Sequence, residues 1–149
     1  MTATQRMNMW KNAPEVYQAM RALYEAAKKD VDPVLTELVL IRASQINRCA
    51  FCIDMHIKDA RKAGETEERI YFLNAFDDVE GVYTEKERAA LALTEAVTVL
   101  TDGFVPDDVY AQAAKHFEER ELAQLIALIT TINGWNRMNV ATRTPPMGR

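Results

Sequence analysis

A chain of 149 residues is long enough for one domain with a sizeable hydrophobic core and short for two. Its composition, 48% hydrophobic and 27% charged with five glycines and five prolines, excludes a disordered or fibrous protein. The net charge of −4, without a dense run of lysine or arginine, argues against nucleic-acid binding, and no window approaches the roughly 20 apolar residues that span a membrane. We therefore expect a single cytoplasmic domain over residues 1–149.

The first half of the chain has helical periodicity throughout, and no alternating run bounded by turn signals predicts a strand. A first helix is predicted over residues 14–29. Asp32 is a predicted N-cap ahead of Pro33, because proline is well tolerated in the first turn of a helix. The next helix, residues 34–46, is apolar on nearly every side, which places it at the centre of the fold.

Capping signals bound the remaining helices. Asn47 is predicted to end the central helix and to cap the next one, residues 49–63, which stops at Gly64. Thr66 begins a short helix, and Thr84-Glu85-Lys86-Glu87 has the capping-box form that opens a helix to about Leu100. Further helices are predicted over residues 105–117 and 121–135, before two prolines at 145 and 146 that prevent a helix in the tail. The predicted class is all-α, with six or seven helices.

The two cysteines of the chain, Cys49 and Cys52, are separated by two residues. A bridge between them would close so short a loop that it adds little stability, which favours a redox or metal-binding role. On a helix that starts near Cys49, both sulfurs and the imidazole of His56 fall within an arc of roughly 60°. A thiolate is favoured in a first turn, and His56 can accept a thiol proton. Ala60 and Ala63 lie on the same face of this helix, and their small side chains predict close packing against another helix.

Glu37, on the central helix, has no charged neighbour one turn away in either direction. The positions three and four residues away hold Pro33, Val34, Leu40 and Ile41. An ion pair along the helix is therefore excluded, and the carboxylate is expected to find a partner on another helix. Such a carboxylate is suited to a proton relay.

These residues together form a recognisable motif. Glu37, eleven intervening residues and then Cys49-x-x-Cys52-x-x-x-His56 resemble the E-x11-C-x-x-C-x3-H pattern of the alkylhydroperoxidase AhpD-like branch of the carboxymuconolactone decarboxylase family. The late segment Asn133-Gly134-Trp135-Asn136-Arg137 resembles the Trp-Asn-Arg segment of the same family. The resemblance implies an all-helical fold, assembled as a trimer, hexamer or similar ring.

The resemblance also implies a reaction. Cys52 would attack a hydroperoxide, Cys49 would be the more exposed resolving thiol, and Glu37 and His56 would form the proton relay. The disulfide would be reduced by a dihydrolipoyl or thioredoxin-like protein, and we predict no cofactor and no bound metal. One position departs from the pattern, since Phe51 stands where the founding AhpD proteins have a second histidine.

Three other functions are consistent with these residues. Cys49, Cys52 and His56 could bind zinc with Glu37 or His116 as the fourth ligand, although no second Cys/His pair follows and His116 is expected to be solvated. The second enzyme class is lactone decarboxylation, the other named activity of the family, which does not need the two cysteines. The third is a non-catalytic helical protein that senses redox state through a reversible disulfide.

Overall fold

The computed structural model describes residues 4–148 and, within that range, contains helices but no strand. The predicted all-α class is confirmed. Residues 1–3 and 149 of the predicted domain lie outside the described residues. No helix between residues 4 and 148 is long and apolar enough to cross a membrane. The helices are α1 Met9–Asn12, α2 Pro14–Lys28, α3 Pro33–Ile46, α4 Ala50–Lys62, α5 Glu67–Tyr71, a 3₁₀ helix Leu73–Asp78, α6 Glu85–Thr98, α7 Asp107–His116 and α8 Glu119–Thr142.

The predicted capping residues fix several helix ends. An Asp32 side-chain oxygen accepts hydrogen bonds from the backbone N–H groups of Val34 and Leu35, at 2.9 and 3.1 Å. The capping box at the start of α6 is complete, with reciprocal bonds between Thr84 and Glu87. Gly64 follows α4 with φ of +92°. These ends follow local sequence because each cap satisfies backbone groups that the helix leaves unpaired.

Two predicted boundaries are wrong. The last helix continues seven residues beyond Trp135 to Thr142, and Arg143 ends it with a left-handed backbone. Asn47 ends α3, but Cys49 caps α4 in its place. The side chains of Asn47 and Asn136 bond to each other across the fold, so Asn47 does not cap α4 and Asn136 lies within α8 instead of ending it. The four-residue helix α1 is an addition to the predicted elements.

Helix α3 lies at the centre, as its uniform hydrophobicity predicts. The four side chains of residues 38–41 are fully buried. Leu35, Val39, Leu40 and Ala43 belong to one core cluster with α6, α7 and α8, whereas Leu38 and Ile41 belong to a second with α4, α5 and the 3₁₀ helix. Because α3 is apolar on nearly every side, it packs against both clusters and buries most of its surface.

Truncating Leu38 should lower the free energy of unfolding by about 2–5 kcal/mol, because the Leu38→Ala cavity lies in a core with no solvent access. Val34→Ala on the same helix, at a side chain that is 40% exposed, is the matched control and should cost far less. Urea denaturation followed by circular dichroism measures both. Equal losses for the two variants would contradict the central placement of α3.

Candidate active site

The turn between α3 and α4 holds the two cysteines. Arg48 adopts a left-handed backbone with φ of 54°, and the Cys49 N–H donates to the Ser44 carbonyl at 3.0 Å, so that α3 ends in a Schellman motif. Cys49 is the N-cap of α4, and its Sγ accepts a hydrogen bond from the Cys52 N–H at 3.3 Å. The predicted first-turn position of Cys49 is thus corrected by one residue, and the N-cap still places its sulfur at the positive end of the helix.

Cys49 and Cys52 are joined by a disulfide, with their Cα atoms 5.3 Å apart. Both residues are buried, at 2% and 1% exposure. The greater exposure expected of Cys49 is therefore not observed. The expected packing face along α4 holds for Ala60, which is buried, but not for Ala63, which is exposed beyond the end of the helix.

Glu37 finds its interhelical partner one turn beyond Cys52. The Nδ1 atom of His56 lies 3.2 Å from a carboxylate oxygen of Glu37, and both side chains are largely buried. An ionised carboxylate only accepts hydrogen bonds, so Nδ1 carries the proton and Nε2 of the neutral ring is the acceptor. The pair can therefore take up a proton at Nε2 and stabilise the resulting imidazolium.

A third acidic residue, Asp59, lies beside this pair. One ligand atom from each of Glu37, His56 and Asp59 lies within 4.8 Å of the others. Asp59 follows His56 by three residues on α4, a spacing that puts both on one helix face, although the motif does not include it. The zinc set considered above is not assembled, because both sulfurs are in the disulfide, and His116 ends α7 outside this group.

A pocket of about 380 Å³ lies over Cys52 and His56. Three of its aromatic side chains pack together: the Trp10 ring meets Trp135 edge to face at 5.0 Å and is tilted against Tyr17 at 5.6 Å between ring centroids. Phe51, in place of the second histidine, adds another ring to the wall. The cavity is thus mostly apolar, with the sulfur of Cys52 and a few polar groups exposed to it. Its lining comprises Asn8, Trp10, Tyr17, Arg21, Tyr24, Phe51, Cys52, Met55, His56, Trp135 and Asn139.

Tyr24 is a polar group of this wall that the motif does not contain. Burial raises the pKa of its hydroxyl to about 12, and the negative charge of Glu37 acts in the same direction. The hydroxyl therefore stays protonated at neutral pH and can act as a hydrogen-bond donor in the pocket.

Asn139 was also absent from the sequence prediction. Its Nδ2 lies 3.6 Å from the Cys52 sulfur, and its Oδ1 accepts a hydrogen bond from Trp10 Nε1 at 3.3 Å. Asn139 is 87 residues from Cys52, and no local signal marks such a contact.

The Asn133–Arg137 segment divides between two roles. Trp135 lines the pocket, whereas Asn136 donates to the Ser44 hydroxyl at 3.0 Å and Arg137 donates to the side-chain Oδ1 of Asn133 at 3.1 Å. Asn47 donates to both asparagines. This buried network fastens α8 to the turn that holds the cysteines.

Known proteins share both the sequence and the fold. Residues 14–96 match the model of the carboxymuconolactone decarboxylase family. The chain is 41% identical over 139 residues to the uncharacterized protein YdfG of Bacillus subtilis strain 168, a match that covers 93% of this chain and 94% of YdfG.

Two solved structures extend the comparison. ATU0492 of Agrobacterium tumefaciens, a protein of unknown function assigned provisionally to the AhpD antioxidant defence proteins, matches with a TM-score of 0.93 and 34% identity over 98% of this chain and all of its own. The debrominase Bmp8 shares the fold, with a TM-score of 0.81 at 18% identity over 93% of this chain and 74% of its own. The chain belongs to the carboxymuconolactone decarboxylase family, within its AhpD-like branch.

Proposed function

We propose that the protein is a thiol-dependent hydroperoxide reductase, in which Cys52 attacks the peroxide and Cys49 resolves the product. The observation that carries the proposal is the disulfide between these cysteines, together with the His56–Glu37 pair at the same pocket. Of the two cysteines, Cys52 lines the cavity. A small substrate in the pocket would therefore meet Cys52 first.

The first step consumes the peroxide. His56 Nε2 takes the Cys52 proton, and the thiolate attacks the distal peroxide oxygen, so that an S–O bond forms while the O–O bond breaks. The leaving alkoxide receives the proton from the imidazolium that Glu37 stabilises. The products are an alcohol and the Cys52 sulfenic acid.

The second step forms the disulfide. Cys49 attacks the Cys52 sulfur as a thiolate that the Cys52 N–H helps to hold, and hydroxide leaves with the Cys49 proton as water. A dithiol must then reduce the disulfide. Because Cys49 is as buried as Cys52, a slender arm such as a dihydrolipoyl group that enters the pocket suits the site better than the flat surface of a thioredoxin-like protein.

The competing functions have different requirements. Lactone decarboxylation does not need the cysteines, and a redox sensor needs only one reversible oxidation. The fold alone does not select a reaction, because Bmp8 shares it and is a debrominase. The pair of thiols with an adjacent proton acceptor favours reduction of an electrophilic substrate over decarboxylation.

Peroxide consumption by the reduced protein tests the proposal. We expect cumene hydroperoxide, mixed in a stopped-flow instrument, to oxidise the protein with one peroxide consumed per disulfide formed. Dihydrolipoamide should sustain many turnovers, because it regenerates the thiols. Stoichiometric oxidation without turnover under any dithiol would favour the sensor, and turnover of carboxymuconolactone by a variant without cysteines would favour the decarboxylase.

Assembly and location follow as parts of the same proposal. We expect a homo-oligomer, a trimer or hexamer, which analytical ultracentrifugation would measure. We also expect a cytoplasmic location, because a two-cysteine catalyst needs a compartment that supplies reducing equivalents.

A further inference from the structure

Asn139 lies between the reactive sulfur and the N-terminal segment. It is on α8, is 3% exposed, and contacts Cys52 Sγ through Nδ2 and Trp10 Nε1 through Oδ1. The motif of cysteines, histidine and glutamate does not include Asn139 or Trp10. Both nevertheless line the pocket over Cys52.

The contact with Trp10 fixes which way the amide faces. An indole N–H only donates hydrogen bonds, so Asn139 must present its oxygen to Trp10 and its NH₂ group to the sulfur. The reverse orientation would set two donors against each other at Trp10 and place the amide oxygen against Cys52. The pairing thus gives the sulfur a hydrogen-bond donor. The donor matters most when the sulfur is a thiolate, because a charged acceptor forms the stronger bond.

Trp10 is itself held in position by packing and hydrogen bonds. Its ring packs against Trp135 and Tyr17. Four residues earlier, the Arg6 N–H donates to the Thr142 carbonyl at 2.9 Å and the Arg6 guanidinium donates to the Ala141 carbonyl at 3.2 Å. These carbonyls belong to the last turn of α8, where the helix leaves acceptors unpaired. The indole is therefore docked on the helix that carries Asn139.

We infer that Asn139 stabilises the Cys52 thiolate by donating a hydrogen bond to its sulfur, and that Trp10 is the positioning residue that holds the amide in the donating orientation. The inference rests on the proposed function in one respect, the reaction of Cys52 as a thiolate.

The charged and titratable groups that line the pocket lie on elements other than α8, so a neutral donor on α8 acts on a side of the sulfur that they do not occupy. Cys49, the N-cap of α4, is bonded to Cys52, and His56 of α4 lines the same pocket and pairs with Glu37. Helix α2 contributes Tyr17, Arg21 and Tyr24 to the pocket wall. By contrast, α8 contributes only Trp135 and Asn139 to the lining, and the N-terminal segment contributes Asn8 and Trp10, so this side offers neutral groups. Asn139 is the neutral donor in contact with the sulfur.

The pH dependence of alkylation tests the inference without any peroxide. In a Cys49→Ser background Cys52 is the one thiol of the chain, and its rate of reaction with iodoacetamide reports the thiolate fraction. Adding Asn139→Leu, which keeps the approximate size and introduces no charge, should lower the rate at neutral pH about tenfold and move the profile to higher pH. A profile that coincides with that of the background variant would overturn the inference.

A pair of aromatic variants tests the positioning role of Trp10 and serves if Asn139→Leu does not fold. Trp10→Phe keeps a ring in the wall but removes the N–H, so the amide is free to invert and the alkylation rate should fall. Tyr83→Phe also removes a donor from a buried aromatic side chain, but Tyr83 donates to the Arg69 carbonyl and does not line this pocket, so this matched control should leave the profile in place. Equal shifts for the two variants would overturn the role of Trp10. Failure of the wild type to consume peroxide would reject the proposed function and leave these results standing.

Discussion

The Cys52→Ser variant should consume cumene hydroperoxide no faster than a protein-free blank, a loss of about 10³-fold or more. Serine has nearly the same shape, but its hydroxyl does not ionise near neutral pH and is not oxidised by peroxide as a thiolate is. The chain has no third cysteine to substitute for the missing sulfur. Stopped-flow measurement of the second-order rate constant with the fully reduced protein gives the result.

The Cys49→Ser variant is the matched control for this prediction. It should react with one equivalent of peroxide at close to the wild-type rate and stop at the sulfenic acid, which dimedone traps. Turnover with dihydrolipoamide should be lost, because no disulfide forms. The opposite pattern, with Cys49→Ser inert and Cys52→Ser oxidised, would reverse the roles. Cys49 competes with Cys52 for the role of attacking thiol, because its sulfur lies at the N-terminus of α4 and accepts a hydrogen bond from the Cys52 N–H.

Local chemistry explains which parts of the fold could be predicted from the sequence. Asp32, Gly64 and the Thr84 capping box mark helix ends because each satisfies backbone groups within a few residues of itself. The hydrophobicity of residues 34–46 on every side predicts a buried helix, and α3 is central. The sequence also predicts that Glu37 has a partner on another helix, because the carboxylate has no partner on its own helix.

The side of the pocket formed by Trp10 and Asn139 depends on contacts between distant parts of the chain, which no local sequence pattern predicts. Trp10 lies over Cys52 only because the N-terminal segment docks on the end of α8, and Asn139 reaches the sulfur only because α8 extends beyond its predicted end. Asparagine has low helix propensity, so Asn136 and Asn139 favour an early end on sequence grounds. Their buried side-chain hydrogen bonds to other parts of the fold outweigh that preference.

Replacing Glu37 by glutamine should lower the second-order rate constant for peroxide reduction by about 100-fold, the effect typical of losing acid–base assistance. The glutamine side chain can still accept the Nδ1–H of His56 through its oxygen, so the geometry of the 3.2 Å contact is retained while the negative charge is lost. Without that charge the imidazolium that returns the proton to the alkoxide is less stable. The same stopped-flow assay measures the change.

Two comparisons make this prediction specific. Asp54→Asn removes a partly buried carboxylate from α4, where Asp54 pairs with Lys58 at 2.9 Å outside the pocket, and it should leave the rate constant unchanged. In the double variant Glu37→Gln/His56→Asn, the rate constant should match that of His56→Asn alone, because Glu37 acts only through the imidazole and residues that act as a unit are not additive. A further loss in the double variant would mean that Glu37 acts on the substrate or the sulfur by another route. An unchanged rate in Glu37→Gln would reject the relay.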